Sequence, residues 1–155
     1  MNPPPKIPKK ILVAVDESNS SKRALVYVAE MIGGRKDINV LVLHIINEPE
    51  EDFFPKAGER EKWLSAEKEK TDSMLSGYRA LLIENGVDPE CIAVLSKVRS
   101  CPSIGDCILN EMESSASRTV VVGRKGVSKK EELLFGSVSN RIIHHAKDCT
   151  IWVVA

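Results

Sequence analysis

The sequence has no long apolar run and no excess of charge of either sign. No stretch approaches the roughly 20 apolar residues that cross a bilayer, and the opening MNPPPKIPKK lacks the apolar core of a signal peptide. Lysine and arginine together number 22, as do aspartate and glutamate, whereas a dedicated nucleic-acid binder is usually strongly basic. We therefore expect a cytoplasmic protein that binds neither a membrane nor nucleic acid.

Cysteines are few, and none of them falls in a C-x-x-C pair. The four are Cys91, Cys101, Cys107 and Cys149, a spacing that favours neither a zinc site nor a thioredoxin-like redox pair. We expect reduced thiols that pack as small apolar side chains. Cys101 differs from the others because it lies at a predicted helix start, where a thiolate is favoured.

The length of 155 residues is that of one domain, and such a chain can bury a core without disulfides or a structural metal. Residues 1–9 are rich in proline and lysine, and we expect them to form a flexible N-terminal segment. We place the nucleotide-binding domain argued for below over residues 10–155, because no change in composition marks a further boundary and no motif repeats.

Apolar runs alternate with segments of helical spacing along the whole chain. KILVAVD, over residues 10–16, predicts a buried parallel strand, and Leu25, Val28, Ala29 and Ile32 follow at helical spacing before two glycines. The same alternation continues to the end of the chain. Four more strands are predicted over residues 38–46, 91–98, 118–122 and 150–155.

Strands that alternate with helices predict an α/β fold of the Rossmann-like kind. We expect a single doubly wound, five-stranded parallel sheet with helices on both faces and the strand order 3-2-1-4-5. Sheets of this kind bind ligands beyond the carboxyl ends of the strands, at the point where the winding direction reverses. For this order, that point lies between the first and fourth strands.

A glycine-containing segment, GRKGVSKKEELLFGSVSN, follows the fourth predicted strand. Gly123 and Gly126 bracket a tight turn, and Gly136 leads into a helix whose first amides have no intrahelical partner. These amides belong to Ser137, Val138 and Ser139. A helix start with free N–H groups and two hydroxyls is suited to bind phosphate.

Each part of this segment also has a purely structural interpretation. The glycines can simply shape turns, and Ser137 or Ser139 can simply cap the helix. The basic residues of the segment either close over phosphate or form a solvated face, and Glu131 and Glu132 dilute their charge. These basic residues are Arg124, Lys125, Lys129 and Lys130. The spacing matches neither G-x-x-x-x-G-K-[ST] nor G-x-G-x-x-G.

Asp16 stands at the end of the first predicted strand, beside the same point of the sheet. It either bonds a ribose or the edge of a base, or it ties the turn into the first helix through an Asx-type bond. The three histidines, His44, His144 and His145, are expected to be structural rather than catalytic. We therefore expect no catalytic residue and no protein-built metal site here.

Taken together, these segments resemble the universal stress protein family. KILVAVDES resembles the first strand of that family and its aspartate, VLHII its second strand, and GRKGVSKKEELLFGSVSNRIIHHA its glycine loop and last helix. CTIWVVA resembles its final strand. The family signature for ATP binding is glycine, two residues, glycine, nine residues, glycine, then serine or threonine. Gly123, Gly126, Gly136 and Ser137 fulfil this signature.

The resemblance implies the ATP-binding branch of the family and a set of contacts. Ala14, Val15 and Asp16 would contact adenosine, and Ile45 with Val122 would flank the base. Gly123 and Gly126 would line ribose and phosphate. The outer phosphates would be held by Gly136, Ser137, Val138 and Ser139, with Mg²⁺ or Mn²⁺ bound mainly through the phosphates themselves.

The resemblance also implies a function and a partner. We expect an ATP-binding (or ADP- or AMP-binding) switch or sensor in a stress response, with at most slow hydrolysis, because the sequence nominates no base. The alternative is a dimeric interaction module without functional nucleotide binding. Members of the family commonly dimerise through their last strands, here Thr150 to Ala155, and autophosphorylation at Ser137 or Ser139 is a third possibility.

Overall fold

A computed structural model describes residues 2–3, 9–124 and 136–155. Over these ranges, five parallel strands form one sheet in the order 3-2-1-4-5. The predicted fold class and strand order are confirmed. The N-terminal segment 1–9 and the glycine segment between residues 124 and 136 lie almost wholly outside the described residues, so their predictions stay as they were.

The helices and strands alternate as the sequence pattern predicts. In chain order they are β1 (Lys9–Ala14), α1 (Asn19–Ile32), β2 (Ile38–Asn47), α2 (Glu59–Glu84), β3 (Ile92–Arg99), α3 (Ile104–Ser114), β4 (Thr119–Gly123), α4 (Ser137–His145) and β5 (Thr150–Val154).

The central strand β1 is buried on both faces because helices cover the sheet from two sides. On one face, Val13 packs in a cluster with Leu25 of α1 and Leu82 of α2. On the other face, Leu12 packs in a cluster with Ile108 of α3 and Ile142 of α4. Alternate side chains of a strand point to opposite faces, so the apolar run of β1 serves both layers.

The predicted apolar stripe of α2 is confined to its C-terminal half. Leu75, Tyr78 and Leu82 are buried there, at the spacing of one helix face. Thr71 is the first residue of the helix that is buried, and most residues before it are exposed. The stripe brings Tyr78 to the carboxyl end of β1, where it matters for the site.

The expectation that all four cysteines are reduced is wrong for two of them. Cys101 and Cys107 form a disulfide with a Cα–Cα distance of 6.3 Å, and Cys91 and Cys149 are free. Cys101 lies in the loop before α3 and Cys107 in the first turn of that helix, so the chain folds back within disulfide range. The C-x-x-C rule misses such a pair because its spacing is wider.

Among the described residues, aromatic side chains meet at two places. Tyr27 of α1 meets Trp152 of β5 edge to face, with ring centres 5.8 Å apart. Phe54, in the loop after β2, has its ring centre 5.8 Å from that of Trp63 in α2.

Within the described ranges, no helix combines the length and apolarity that a membrane span requires.

Candidate functional site

A cavity of about 200 Å³ lies at the carboxyl ends of β1 and β4, where the winding of the sheet reverses. This is the position that the strand order predicts for a ligand. Its walls come from β1, β2, β4 and the starts of three helices. The residues that line it are Ala14, Val15, Asp16, Ser18, Ser21, Leu43, His44, Ile45, Ile104, Ile108, Val122, Gly123, Val138 and Ser139.

Most of the site residues expected from the sequence line this cavity. They are Ala14, Val15, Asp16, Ile45, Val122, Gly123, Val138 and Ser139. Gly136 and Ser137 come immediately before Val138, at the start of α4. Gly126 lies outside the described residues, as do Lys125, Lys129 and Lys130.

Asp16 ties the turn between β1 and α1. Its Oδ1 accepts hydrogen bonds from the Ser18 amide at 2.8 Å and from the Ser21 hydroxyl at 3.0 Å. The Asp16 amide in turn donates to Ser21 Oγ at 2.9 Å. The Asx-type interpretation is therefore correct for this oxygen, and the carboxylate still lines the cavity.

Tyr78 supports the same turn from helix α2. Its hydroxyl donates to the backbone carbonyl of Asp16 at 2.5 Å, and the side chain is only 5% exposed. Burial, with the nearby carboxylates of Asp16 and Glu17, raises the pKa of Tyr78 from 10.0 to about 12. The phenol therefore stays a donor over the whole neutral range.

His44 lines the cavity through a structural hydrogen bond. Its Nδ1 lies 2.7 Å from the carbonyl oxygen of Val15. A carbonyl oxygen only accepts hydrogen bonds, so Nδ1 carries a proton in this contact. The structural role expected for His44 fits this contact, although the sequence did not place it at the cavity.

Gly123 ends β4 and packs closely against Ser20 of α1. A Cβ at this position would lie 2.5 Å from Ser20 Cβ and 3.0 Å from the Ser20 carbonyl carbon. No side chain fits without moving α1, because real Cβ atoms do not approach other atoms so closely. Helix packing thus explains this glycine independently of any ligand.

Backbone and side-chain bonds close the two ends of the segment between Arg124 and Gly136. The Gly136 amide donates to the Arg124 carbonyl at 2.7 Å, and the Ser139 hydroxyl donates to the same carbonyl at 2.8 Å. Ser139 is 2% exposed, and its hydroxyl also lies 3.2 Å from the Gly136 carbonyl. Its one hydroxyl proton is thus directed at the protein itself.

Ser137 is the exposed hydroxyl at the start of α4, since Ser139 is buried. Gly136 is the residue before the helix, with φ −70° and ψ 169°. The amides of Ser137, Val138 and Ser139 occupy the first turn, where α-helical geometry supplies no acceptor. These amides and the Ser137 hydroxyl are therefore the donors that α4 can offer to an anion.

Helix α3 forms a wall of the cavity that sequence reasoning did not foresee. Ile104 and Ile108 line it, one helical turn apart. The guanidinium of Arg141 in α4 binds both carboxylate oxygens of Asp106 at 2.9 Å. A Cβ on Gly105 would lie 2.8 Å from the Arg141 side chain, so α3 and α4 meet closely. In the sequence, the i, i+4 spacing of the two isoleucines indicates that they share one face of a helix, and this signal could have identified the wall.

Few side chains of the described cavity lining could bind a metal ion. Across residues 9–124 and 136–155, histidine, cysteine, aspartate and glutamate side chains form no group of three or more that could hold a metal ion. The cavity itself has Asp16 and His44 as its titratable lining residues among those described.

Comparison with known structures shows the same fold in several proteins. Hypothetical protein MJ0577 has a TM-score of 0.77 at 22% identity, with 95% of each chain covered. A universal stress protein from Archaeoglobus fulgidus in complex with dAMP has a TM-score of 0.64 at 22% identity, covering 95% of this chain and 98% of the other. A universal stress protein in complex with cAMP has a TM-score of 0.67 at 16% identity, covering 94% and 95%.

Sequence comparison gives the family. No curated protein matches the chain. The model of the universal stress protein family matches residues 8–155, which is nearly the whole sequence and includes every strand and helix described above. The chain therefore belongs to the universal stress protein family.

Proposed function

We propose that this protein binds an adenine nucleotide, ATP or a close relative such as ADP or AMP, in the cavity between β1 and β4. Nucleotide occupancy would act as a switch or sensor in a cytoplasmic stress response. The observation that carries the proposal is the position of the cavity: an apolar slot and the amide-bearing start of α4 lie together at the point where the sheet winding reverses.

The inner part of the cavity suits a purine base. Ala14, Val15, Ile45 and Val122 are apolar, buried and lie along its walls, and Ile104 and Ile108 face them from α3. Pockets for drug-sized ligands usually measure ~300–1,000 Å³, so about 200 Å³ takes a base more readily than a whole nucleotide. Ribose and phosphates would extend toward α4.

Asp16 and the start of α4 suit the remaining parts of the ligand. Carboxylates accept hydrogen bonds from ribose hydroxyls in related α/β folds, and Asp16 lines the cavity. Phosphate oxygens only accept, so they would bond the amides of Ser137, Val138 and Ser139 and the Ser137 hydroxyl. We assign Gly123, Gly126 and Gly136 to the same ribose and phosphate end, with Mg²⁺ or Mn²⁺ bound through the phosphates.

Ligands of structural neighbours support an adenine nucleotide in particular. One universal stress protein of this fold is described in complex with cAMP and another in complex with dAMP. Both ligands carry adenine, a sugar and one phosphate. The shared fold makes the same pocket the first place to test in this chain, and the glycine signature makes ATP the first ligand to test.

The site favours binding over hydrolysis. Phosphoryl transfer to water needs a group that orients the water and groups that stabilise the transferred phosphate. Among the described residues of the cavity, Asp16 holds the turn and His44 binds the Val15 carbonyl. We therefore propose that any turnover is slow and that the bound nucleotide is the signal.

Calorimetry on the full chain tests the proposal after bound nucleotide has been removed. ATP with magnesium should bind saturably, and Ser137→Ala should weaken binding about fivefold, because one charge-assisted hydrogen bond is lost. Ser73→Ala is the matched control, since Ser73 is also an exposed helix serine but lies on α2. Its affinity should equal that of the parent protein.

Two outcomes would contradict the proposal. Stripped, folded protein that gives no saturable heat with ATP, ADP or AMP would exclude the nucleotide site. Equal losses in Ser137→Ala and Ser73→Ala would exclude α4 as the phosphate end. Acid release and absorbance of any nucleotide that copurifies would identify the ligand directly.

A homodimer through β5 is the second proposal, with or without nucleotide. In the described sheet, β5 pairs with β4 alone and forms an edge. The Thr150 amide donates to the main-chain carbonyl of Arg118, and the Val154 carbonyl accepts from the main-chain amide of Arg124. Because backbone direction alternates along a strand, Ile151 and Val153 direct their amides to the open edge, where a second copy can pair.

Light scattering of the parent protein and of Val153→Pro tests the dimer. Proline removes one outward amide and leaves the β4 pairing intact, so the parent should have the mass of two chains and the variant that of one. A monomeric parent at micromolar concentration would contradict this proposal. Unchanged nucleotide affinity in the variant would show that binding and dimerisation are separate.

A further inference from the structure

The disulfide between Cys101 and Cys107 lies at the wall of the cavity. It closes a short loop that contains Ile104, and Ile108 follows Cys107 directly. Both isoleucines line the cavity. Any change in the cross-link therefore acts on the segment that carries these two side chains.

The same loop is tied to the end of β2. The Cys101 amide donates to Asn47 Oδ1 at 3.0 Å, and the Asn47 side-chain amide donates to the Cys101 carbonyl at 3.3 Å. Asn47 is the last residue of β2, two positions after Ile45, which lines the cavity. The closed disulfide therefore links the start of α3 covalently to Cys101, which is itself hydrogen-bonded to Asn47 of β2.

On the other side, α3 is held by α4. Asp106 is bound by Arg141, and it is the residue immediately before Cys107. The start of α3 thus stands between β2 and α4, and both of these elements also line the cavity. The disulfide is the covalent restraint on this wall, whereas the other restraints named here are hydrogen bonds and an ion pair.

We propose that Cys101 and Cys107 form a reversible thiol–disulfide site that controls nucleotide affinity by fixing or releasing the start of α3. The effect on affinity rests on the nucleotide-binding function proposed above, whereas the redox site does not. In the oxidised form, the cavity wall is preorganised. In the reduced form, ordering of this segment opposes binding.

The site takes a peroxide as oxidant and a dithiol as reductant. The thiolate of one cysteine attacks hydrogen peroxide, forming a sulfenic acid and releasing hydroxide, which is protonated to water. The second thiol attacks the sulfenic sulfur, the S–S bond forms and a second water leaves. A dithiol restores both thiols by exchange and becomes a disulfide itself.

The surroundings of the four cysteines favour this pair over the other two. Cys101 and Cys107 are only half-buried, as is Cys149, whereas Cys91 is buried. Burial, together with Asp148, raises the pKa of Cys149, which lowers its thiolate fraction at neutral pH. Oxidation should therefore be selective for the pair.

Alkylation and peptide mapping of the full chain test the redox site. After dithiothreitol, all four cysteines should become alkylated under denaturing conditions. After hydrogen peroxide, Cys91 and Cys149 should be alkylated, and Cys101 and Cys107 should be recovered as one linked pair that dithiothreitol reverses. A pair that never forms, or that dithiothreitol does not reduce in the folded protein, would overturn the site.

Titration of both forms with ATP and magnesium tests the control of affinity. The oxidised protein should bind about fivefold more tightly than the reduced protein. Cys101→Ser and Cys107→Ser should bind like the reduced protein under both conditions, and Cys149→Ser should keep the full response. Equal affinity of the oxidised and reduced parent would overturn the control.

Hydrogen exchange separates failure of this proposal from failure of the nucleotide site. If neither form binds ATP, the nucleotide proposal fails. Exchange of the amides of residues 104–108 then decides whether the disulfide controls the start of α3. Exchange about fivefold faster in the reduced form would keep the redox control of α3. Identical exchange in the two forms would overturn it as well.

Discussion

The buried hydroxyl of Ser139 donates to the main-chain carbonyl of Arg124 at 2.8 Å, across the segment 125–135. Ser139 therefore has a structural role, because its hydroxyl joins the residues on either side of this segment. Ser137, by contrast, is exposed at the start of α4. The two serines of the last helix thus differ in role, although both were expected from the family resemblance to hold the outer phosphates.

Ser139→Ala is predicted to destabilise the protein by about 1 kcal/mol, because a buried hydrogen bond is lost while the Arg124 carbonyl keeps the Gly136 amide. Urea unfolding measures the change. Ser114→Ala is the control, since the Ser114 hydroxyl bonds only within its own exposed helix turn, and it should change stability by less than ~0.5 kcal/mol. Equal effects of both substitutions would refute this structural role of the Ser139 hydroxyl.

Gly123→Ala is predicted to lower the free energy of unfolding by about 1 to 3 kcal/mol through overpacking against Ser20. Ser20→Gly in the same chain should restore part of the loss, because it removes the Cβ at 2.5 Å and leaves the backbone contacts. Denaturant unfolding of the two single variants and the double variant gives the coupling energy. Additive losses would contradict the contact.

Gly77→Ala is predicted to raise the free energy of unfolding by about 1 kcal/mol. Gly77 lies inside α2, and a Cβ there would meet no atom within 4 Å. Alanine favours the helix and restricts the unfolded chain. Thermal or urea unfolding checks the gain, and a loss of stability would indicate a contact at Gly77 that the fold described above does not contain.

The buried phenol of Tyr78 predicts a decline in stability at alkaline pH. Its pKa is raised from 10.0 to about 12 in the folded protein, so the folded state holds the proton more tightly than the unfolded chain. The contribution is complete below pH 10 and is lost as the pH rises to about 12. Its size is on the order of 2 to 3 kcal/mol.

Tyr78→Phe provides the control for this titration. The variant loses the hydroxyl that donates to the Asp16 carbonyl, so it should be less stable by ~1 kcal/mol at neutral pH. Between pH 10 and 12, its free energy of unfolding should fall less steeply than that of the parent. Parallel curves for the two proteins would show that Tyr78 does not carry the effect.

The sequence predicted the sheet and the position of the site because both depend on local patterns. Buried parallel strands leave apolar runs and helices leave their own spacing, so the order 3-2-1-4-5 and the location between β1 and β4 followed. The apolar lining by Ala14, Ile45 and Val122 followed from the family resemblance.

Features that depend on distant contacts could not be predicted in this way. The clash that reserves position 123 for glycine arises from Ser20 on another element. The bond from Tyr78 to Asp16 joins residues 62 positions apart. The Cys101–Cys107 disulfide is a local contact, but it depends on how the loop turns into α3, which no cysteine spacing rule records.

The pairing of Trp152 with Tyr27 gives the protein a built-in optical reporter. The chain has two tryptophans, and neither lines the cavity. Excitation energy absorbed by Tyr27 transfers readily to the indole of Trp152, 5.8 Å away. The emission of Trp152 therefore depends on the arrangement of α1 and β5. A change in fluorescence on adding nucleotide would therefore signal a rearrangement of the fold rather than contact with the base.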